Sequence, residues 1–148
     1  MKICKNLLPV LLTLSLSACN LLSDELNPSS VPAKIQNVFK TQQAGARDII
    51  WKKEGGKYLV QFKIKDTSKE IYFDKEANIL ETDTKVKTED ILPKIKDYLN
   101  KNHKDLPIFE VEKEENAQGT CFEVKLIKDH KILEVAFDEK GNYLKPKE

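Results

Sequence analysis

Residues 135–144, VAFDEKGNYL, repeat the pattern of residues 71–80, IYFDKEANIL. Phe73-Asp74 answers Phe137-Asp138, Asn78 answers Asn142 and Leu80 answers Leu144, all at one offset of 64 residues. An internal repeat of this length constrains a chain strongly, because whatever supersecondary unit one copy forms, the other copy must form as well.

The segments preceding each copy agree. Ser30 reads as a helix N-cap with Pro32 in the first turn, and Val31, Ile35, Val38 and Phe39 follow as one apolar stripe. Asp90, Pro93 and the stripe Ile91, Ile95, Tyr98 and Leu99 repeat this arrangement, with Pro107 beyond the end. Four strand signals follow each helix, at 48–53, 57–65, 69–74 and 78–83, then at 108–113, 119–127, 131–138 and 142–145. Turns this short join antiparallel neighbours. The expected fold is α+β: two tandem helix-plus-four-strand repeats, 30–86 and 87–148, forming antiparallel sheet with the helices on one face and the other face open.

Alternation assigns the side chains. Ile49, Trp51, Tyr58, Val60, Phe62, Ile64, Ile71 and Phe73 should point to the helix, as should Phe109, Val111, Phe122, Val124, Leu126, Leu133, Val135 and Phe137. No helix is left over for the other face, which an antiparallel sheet can leave solvated.

Lys2 and Lys5, an apolar run from Leu7 to Leu16 and the close Leu16-Ser17-Ala18-Cys19 read as a signal peptide over 1–18. The run falls short of the roughly 20 residues a spanning helix requires. The ending resembles the lipobox of bacterial lipoproteins, which implies that Cys19 is lipidated and becomes the first mature residue; residues 19–29 then read as the lipidated cysteine and a flexible tether. Without 1–18 the 25 basic side chains fall by Lys2 and Lys5 to 23, against 24 acidic ones. That balance offers no phosphate-binding face, so no nucleic-acid partner is expected. With Cys4 lost and Cys19 lipidated, Cys121 stands alone and no disulfide framework is expected. Asn20 follows Cys19 where the familiar inner-membrane retention signal has aspartate, which by resemblance favours the outer membrane, on its periplasmic or its surface side.

Two helix-plus-four-strand units, the hairpins FDKEAN and FDEKGN and the lipoprotein signal together resemble the PepSY-like family of bacterial envelope proteins, over residues 31–145. The resemblance implies the fold of β-lactamase-inhibitor protein, with helices on the back of a curved sheet. It carries over no catalytic residues, and it implies an inhibitor-like role only by analogy of fold.

Little in the sequence offers catalysis. Asp74 and Asp138 are equivalent acids at strand ends, and their expected work is to hydrogen-bond the hairpin backbone. If Ala77 and Gly141 share a left-handed conformation, Ala77→Gly should stabilise slightly. Asp74, Glu76 and Asn78 carry the first spacings of a calcium loop but lack its glycine and closing glutamate, and His103 and His130 lack partners at ligand spacing, so neither metal nor other cofactor is expected. No G-x-S-x-G, phosphate loop or HExxH occurs.

The open face is therefore the candidate site, as a surface for a protein or peptide: Ile50, Leu59, Gln61, Lys63, Tyr72, Ile108, Glu110, Glu112, Cys121 and Glu123. The chain reads as a non-enzymatic envelope lipoprotein held to a membrane by its lipid. A structural or assembly lipoprotein is the alternative, and a small hydrolase using Asp74 or Asp138 a third reading.

Overall fold

The computed structural model describes residues 25–145. They form nine β-strands and two α-helices, an α+β fold dominated by antiparallel pairing. The chain divides between Thr84 and Lys85 into two compact units. The first contains β1 (Glu25–Leu26), α1 (Ala33–Gln42), β2 (Arg47–Glu54), β3 (Lys57–Ile64), β4 (Thr67–Phe73) and β5 (Ile79–Lys85), whose last residue belongs to the second unit. The second continues with α2 (Pro93–Asn102), β6 (Ile108–Asn116), β7 (Gly119–Lys128), β8 (Lys131–Asp138) and β9 (Tyr143–Leu144).

Both helices start later than their sequence caps. Ser30 and Asp90 instead close short 3-10 turns, Pro28–Ser30 and Thr88–Asp90. Proline excludes the helical conformation from the residue before it, and Val31 before Pro32 and Leu92 before Pro93 are accordingly extended, with ψ of 130° and 136°. The helices begin after that break, where the carbonyls of Pro32 and Leu92 accept the first amides, Ile35 N and Ile95 N, at 3.0 and 2.9 Å. The segment read as a tether also departs from expectation. Glu25 and Leu26 pair with Lys52 and Trp51, and Leu26 packs against the first core. The signal peptide and Cys19 lie outside the described residues.

Each unit has its own core between helix and sheet. In the first, Ile35 and Phe39 of α1 meet Trp51, Val60, Phe62, Ile71 and Phe73. Phe39 sets its ring edge-on to Trp51 at 5.4 Å and to Phe62 at 5.0 Å, the geometry that aromatic quadrupoles favour. In the second, Ile95 and Leu99 of α2 meet Val111, Val124, Leu126, Val135 and Phe137, with Tyr98 stacked on Tyr143 at 4.7 Å. Fully burying one such side chain is worth about 1.5–3 kcal/mol before chain entropy is charged against it.

Two core assignments fail for one reason. The register of β2 slips between Arg47 and Ile50, where Asp48 has a positive φ of 55°, and that of β6 slips between Ile108 and Glu110. A bulge adds a residue and breaks simple alternation. Ile49 and Phe109 are thus 43 and 61% exposed, not buried. Ile108, expected on the open face, packs against the second core.

Candidate functional site

The paired hairpin ends hold the two acids that the sequence offers for catalysis, Asp74 and Asp138. Asp74 accepts hydrogen bonds from Asn78 N at 2.8 Å and Asn78 Nδ2 at 2.7 Å. Asp138 accepts from Asn142 N and Nδ2 at 2.8 and 2.7 Å, and from Lys140 N at 2.9 Å. Both carboxyls thus do the turn work expected of them. The side-chain hydrogen bond from Asn78 lowers the pKa of Asp74; at Asp138 burial pulls upward, but the bonds from Asn142 and Lys140 prevail and the net shift is down. Ala77 and Gly141 share the left-handed conformation, at φ 67° and 77°.

On the sheet face of the first unit, Leu59 lies opposite Lys52 on one side and Tyr72 on the other, while Gln61 lies opposite Ile50 and Glu70. Gln61 Nε2 donates to Glu70 Oε1 at 2.7 Å, and Lys63 sits 3.2 Å from Asp48. Leu59 is buried, although alternation set it on the solvated side. It stands in the middle strand, between Lys52 of β2 and Tyr72 of β4.

The face of the second unit is charged. Glu123 lies opposite Glu112 and Ala136, and Lys125 opposite Glu110 and Glu134. Lys125 Nζ is 2.9 Å from Glu110 Oε1, 2.7 Å from Glu112 Oε2 and 3.8 Å from Glu123 Oε1, and Lys85 also binds Glu110. Burial works against the Lys125 ammonium, but its bonds to Glu112 and Glu110 outweigh that and push its pKa up. Burial likewise pulls Glu110 upward, and the bonds from Lys85 and Lys125 reverse the direction, keeping it ionised. Glu123 goes the other way, raised to about 7, first by burial and then by the charges of Glu134, Glu112 and Glu114, with Lys125 offsetting only part.

Of the candidate residues, Ile50, Leu59, Gln61, Lys63 and Tyr72 belong to the first unit, and Glu110, Glu112, Cys121 and Glu123 to the second; Ile108 belongs to a core. Cys121 requires the largest correction. It has no exposed surface and is disulfide-bonded, not a free thiol on a wet face. Alternation gives a side chain's direction but not its cover, and Cys121 lies near the start of β7, between Glu114 of β6 and Asp138 of β8. The other two cysteines, Cys4 and Cys19, lie outside the described residues. Sequence reading missed Lys85 and Glu134 as members of the charged face. The Glu134 signal was available, since 64 residues separate it from Glu70 as they separate the hairpins.

A family model described as "Putative beta-lactamase-inhibitor-like, PepSY-like" matches residues 56–145. The chain belongs to this PepSY-like family. Among solved structures, the PepSY-like chain is similar to a BLIP-like protein from Bacteroides fragilis, with 25% identity and a TM-score of 0.68 over 77% of this chain and 83% of that one. A DUF2874 family protein from Bacteroides uniformis matches with 15% identity and a TM-score of 0.71, over 78 and 87% of the two chains. A protein from Bacteroides eggerthii, described among "putative periplasmic proteins", reaches 0.72 at 15% identity over 78 and 86%. At that identity the last two show the PepSY-like fold alone. No curated protein matches the sequence.

Proposed function

We propose that this PepSY-like chain is a non-enzymatic, exported lipoprotein that binds a protein or peptide through the sheet faces of its units, in the manner of an inhibitor. The observation that carries the reading is the second unit's face, where Glu110 and Glu112 are fixed around Lys125 by bonds of 2.9 and 2.7 Å. An ordered charge array sets register and partner choice more than raw affinity. Asp74 and Asp138, committed to their turns, support the non-enzymatic reading. The matching hairpins support an origin of the two units by tandem duplication.

Export rests on the N-terminal segment, which reads as a lipoprotein signal peptide. Among the described residues, no helix is long and apolar enough to cross a membrane; attachment is assigned to lipid on Cys19, in the outer membrane, on the resemblance of residues 16–19 to a lipobox. The thioether made by lipidation uses the same sulfur a disulfide would, so lipid on Cys19 and a bond from Cys19 to Cys121 exclude one another. The intact mass of protein purified from the envelope decides between them.

Binding is tested by capture from the producer's envelope extract with the wild type, an Ile50→Glu, Lys63→Glu variant of the first face and a Glu134→Lys variant of the second. All three positions are partly or fully exposed, so folding should survive. A defined protein held by the wild type and lost by either variant supports the reading; identical capture by all three contradicts it.

A further inference from the structure

Leu59 and Glu123 are 64 residues apart, the offset of the hairpins, and each occupies the same place in its unit: on the middle strand, one residue before the buried valine, Val60 or Val124. The first unit covers this place and fills it with leucine. The second puts a carboxyl there and leaves its side chain only 20% exposed.

We infer that Glu123 is a proton switch of the second unit: a carboxyl that folding holds in its neutral form, and whose ionisation weakens the β6, β7 and β8 face. The groups around it give it little reason to ionise. From β6, Glu112 stands directly opposite and Glu114 lies nearby; from β8, the residue opposite is Ala136, with the charge of Glu134 two residues along the strand, and Asp138 is committed to its own turn. On its own strand Lys125 is the nearest cation, but that ammonium bonds Glu112 and Glu110 and stays 3.8 Å from Glu123. From β5, Lys85 is bound to Glu110. The helix α2 packs on the opposite side, against Val124 and Leu126. Like charges directly across a strand pair repel, so a second charge beside Glu112 must strain the pairing of β6 with β7. These surroundings raise Glu123 from 4.5 to about 7, burial first.

The test is a pH titration of the full chain with carboxyl-labelled glutamate, followed by NMR, for the wild type, Glu112→Gln and Glu123→Gln, alongside hydrogen-exchange protection of the β7 amides. One carboxyl should titrate with a midpoint of about 7. It should vanish in Glu123→Gln and move down in Glu112→Gln. Protection of β7 should fall through that midpoint in the wild type and stay level in Glu123→Gln. A Glu123 midpoint near the ordinary 4.5, or equal loss of protection in both forms, overturns the proposal. Should Glu123→Gln fail to fold, the downward move in Glu112→Gln still decides.

Discussion

The two units place one backbone conformation at two corners and fill each corner with the opposite choice of residue. After α1 the left-handed corner is Gly45, at φ 84°; after α2 it is Asp105, at φ 73°. In the hairpin turns the order reverses, with Ala77 in the first unit and Gly141 in the second. The left-handed conformation costs a side chain about 1–2 kcal/mol, and glycine nothing comparable. At the second hairpin the space around the Cβ adds a further demand for glycine. A Cβ at Gly141 would meet Lys94 Cβ at 3.2 Å and Ile95 Cγ1 at 3.3 Å, whereas one at Gly45 meets nothing within 4 Å. The second hairpin sits tight against its helix and needs glycine for two reasons, the first corner for only one. The sheet faces differ in the same manner, a leucine and an amide in the first unit answering a carboxyl and an ammonium in the second.

The sharpest break of this comparison is at the paired positions Gln61 and Lys125. Lys125→Met leaves Glu110, Glu112 and Glu123 crowded without their shared cation, and stability at pH 7.5 should fall by about 2–3 kcal/mol in urea unfolding, at the low end for a broken, part-buried ion network. Gln61→Met, which removes a neutral bond to Glu70, should cost about 1 kcal/mol. Equal losses would show that the charged face is no more ordered than the neutral one.

Next are the corners. Gly141→Ala should cost about 2 kcal/mol and Gly45→Ala about 1 kcal/mol, since only the former adds crowding to strain. Thermal melts that rank them in the reverse order would overturn the account of the second hairpin. In the opposite direction, Asp105→Gly relieves strain at an exposed site and should gain somewhat under 1 kcal/mol. Ala77→Gly gains the same relief but removes a buried methyl worth about 0.8 kcal/mol, so its melting temperature should barely move. The slight gain expected from sequence is thereby cancelled.

Much of this architecture is legible in the sequence because it rests on period and on turn chemistry. The repeated FD-x-x-(A/G)-N pattern locates both hairpins and the positive φ at residues 77 and 141, and period-2 alternation finds Val60, Phe62, Val124 and Phe137 in the cores. What is illegible has local causes. The bulges at the starts of β2 and β6 fall in consecutive apolar residues, Ile49-Ile50-Trp51 and Ile108-Phe109, where alternation does not say which side chain turns inward, and they send Ile49 and Phe109 outward and Ile108 inward. Serine and aspartate look like caps wherever they precede an apolar stripe, but the prolines at 32 and 93 forbid the helix from starting there. Cover on the sheet face cannot be read from alternation either. A period of two says that Leu59, Cys121 and Glu123 point away from the helices, and nothing about how deeply they are buried there.

That cover is the centre of the account, and unfolding free energies of the wild type and Glu123→Leu at pH 5.5 and 8.5 test it most directly. Folding raises the pKa of this acid from 4.5 to about 7, so the stability it contributes is complete below pH 4.5 and is lost as pH rises through 7. A shift of that size, reduced by solvent screening, is worth about 1–2 kcal/mol. Glu123→Leu, which gives the second unit the residue of the first, should therefore gain on the wild type by about 1–2 kcal/mol more at pH 8.5 than at pH 5.5. A difference between the two proteins that stays constant across that range would contradict the claim that the second unit covers a carboxyl where the first covers a leucine.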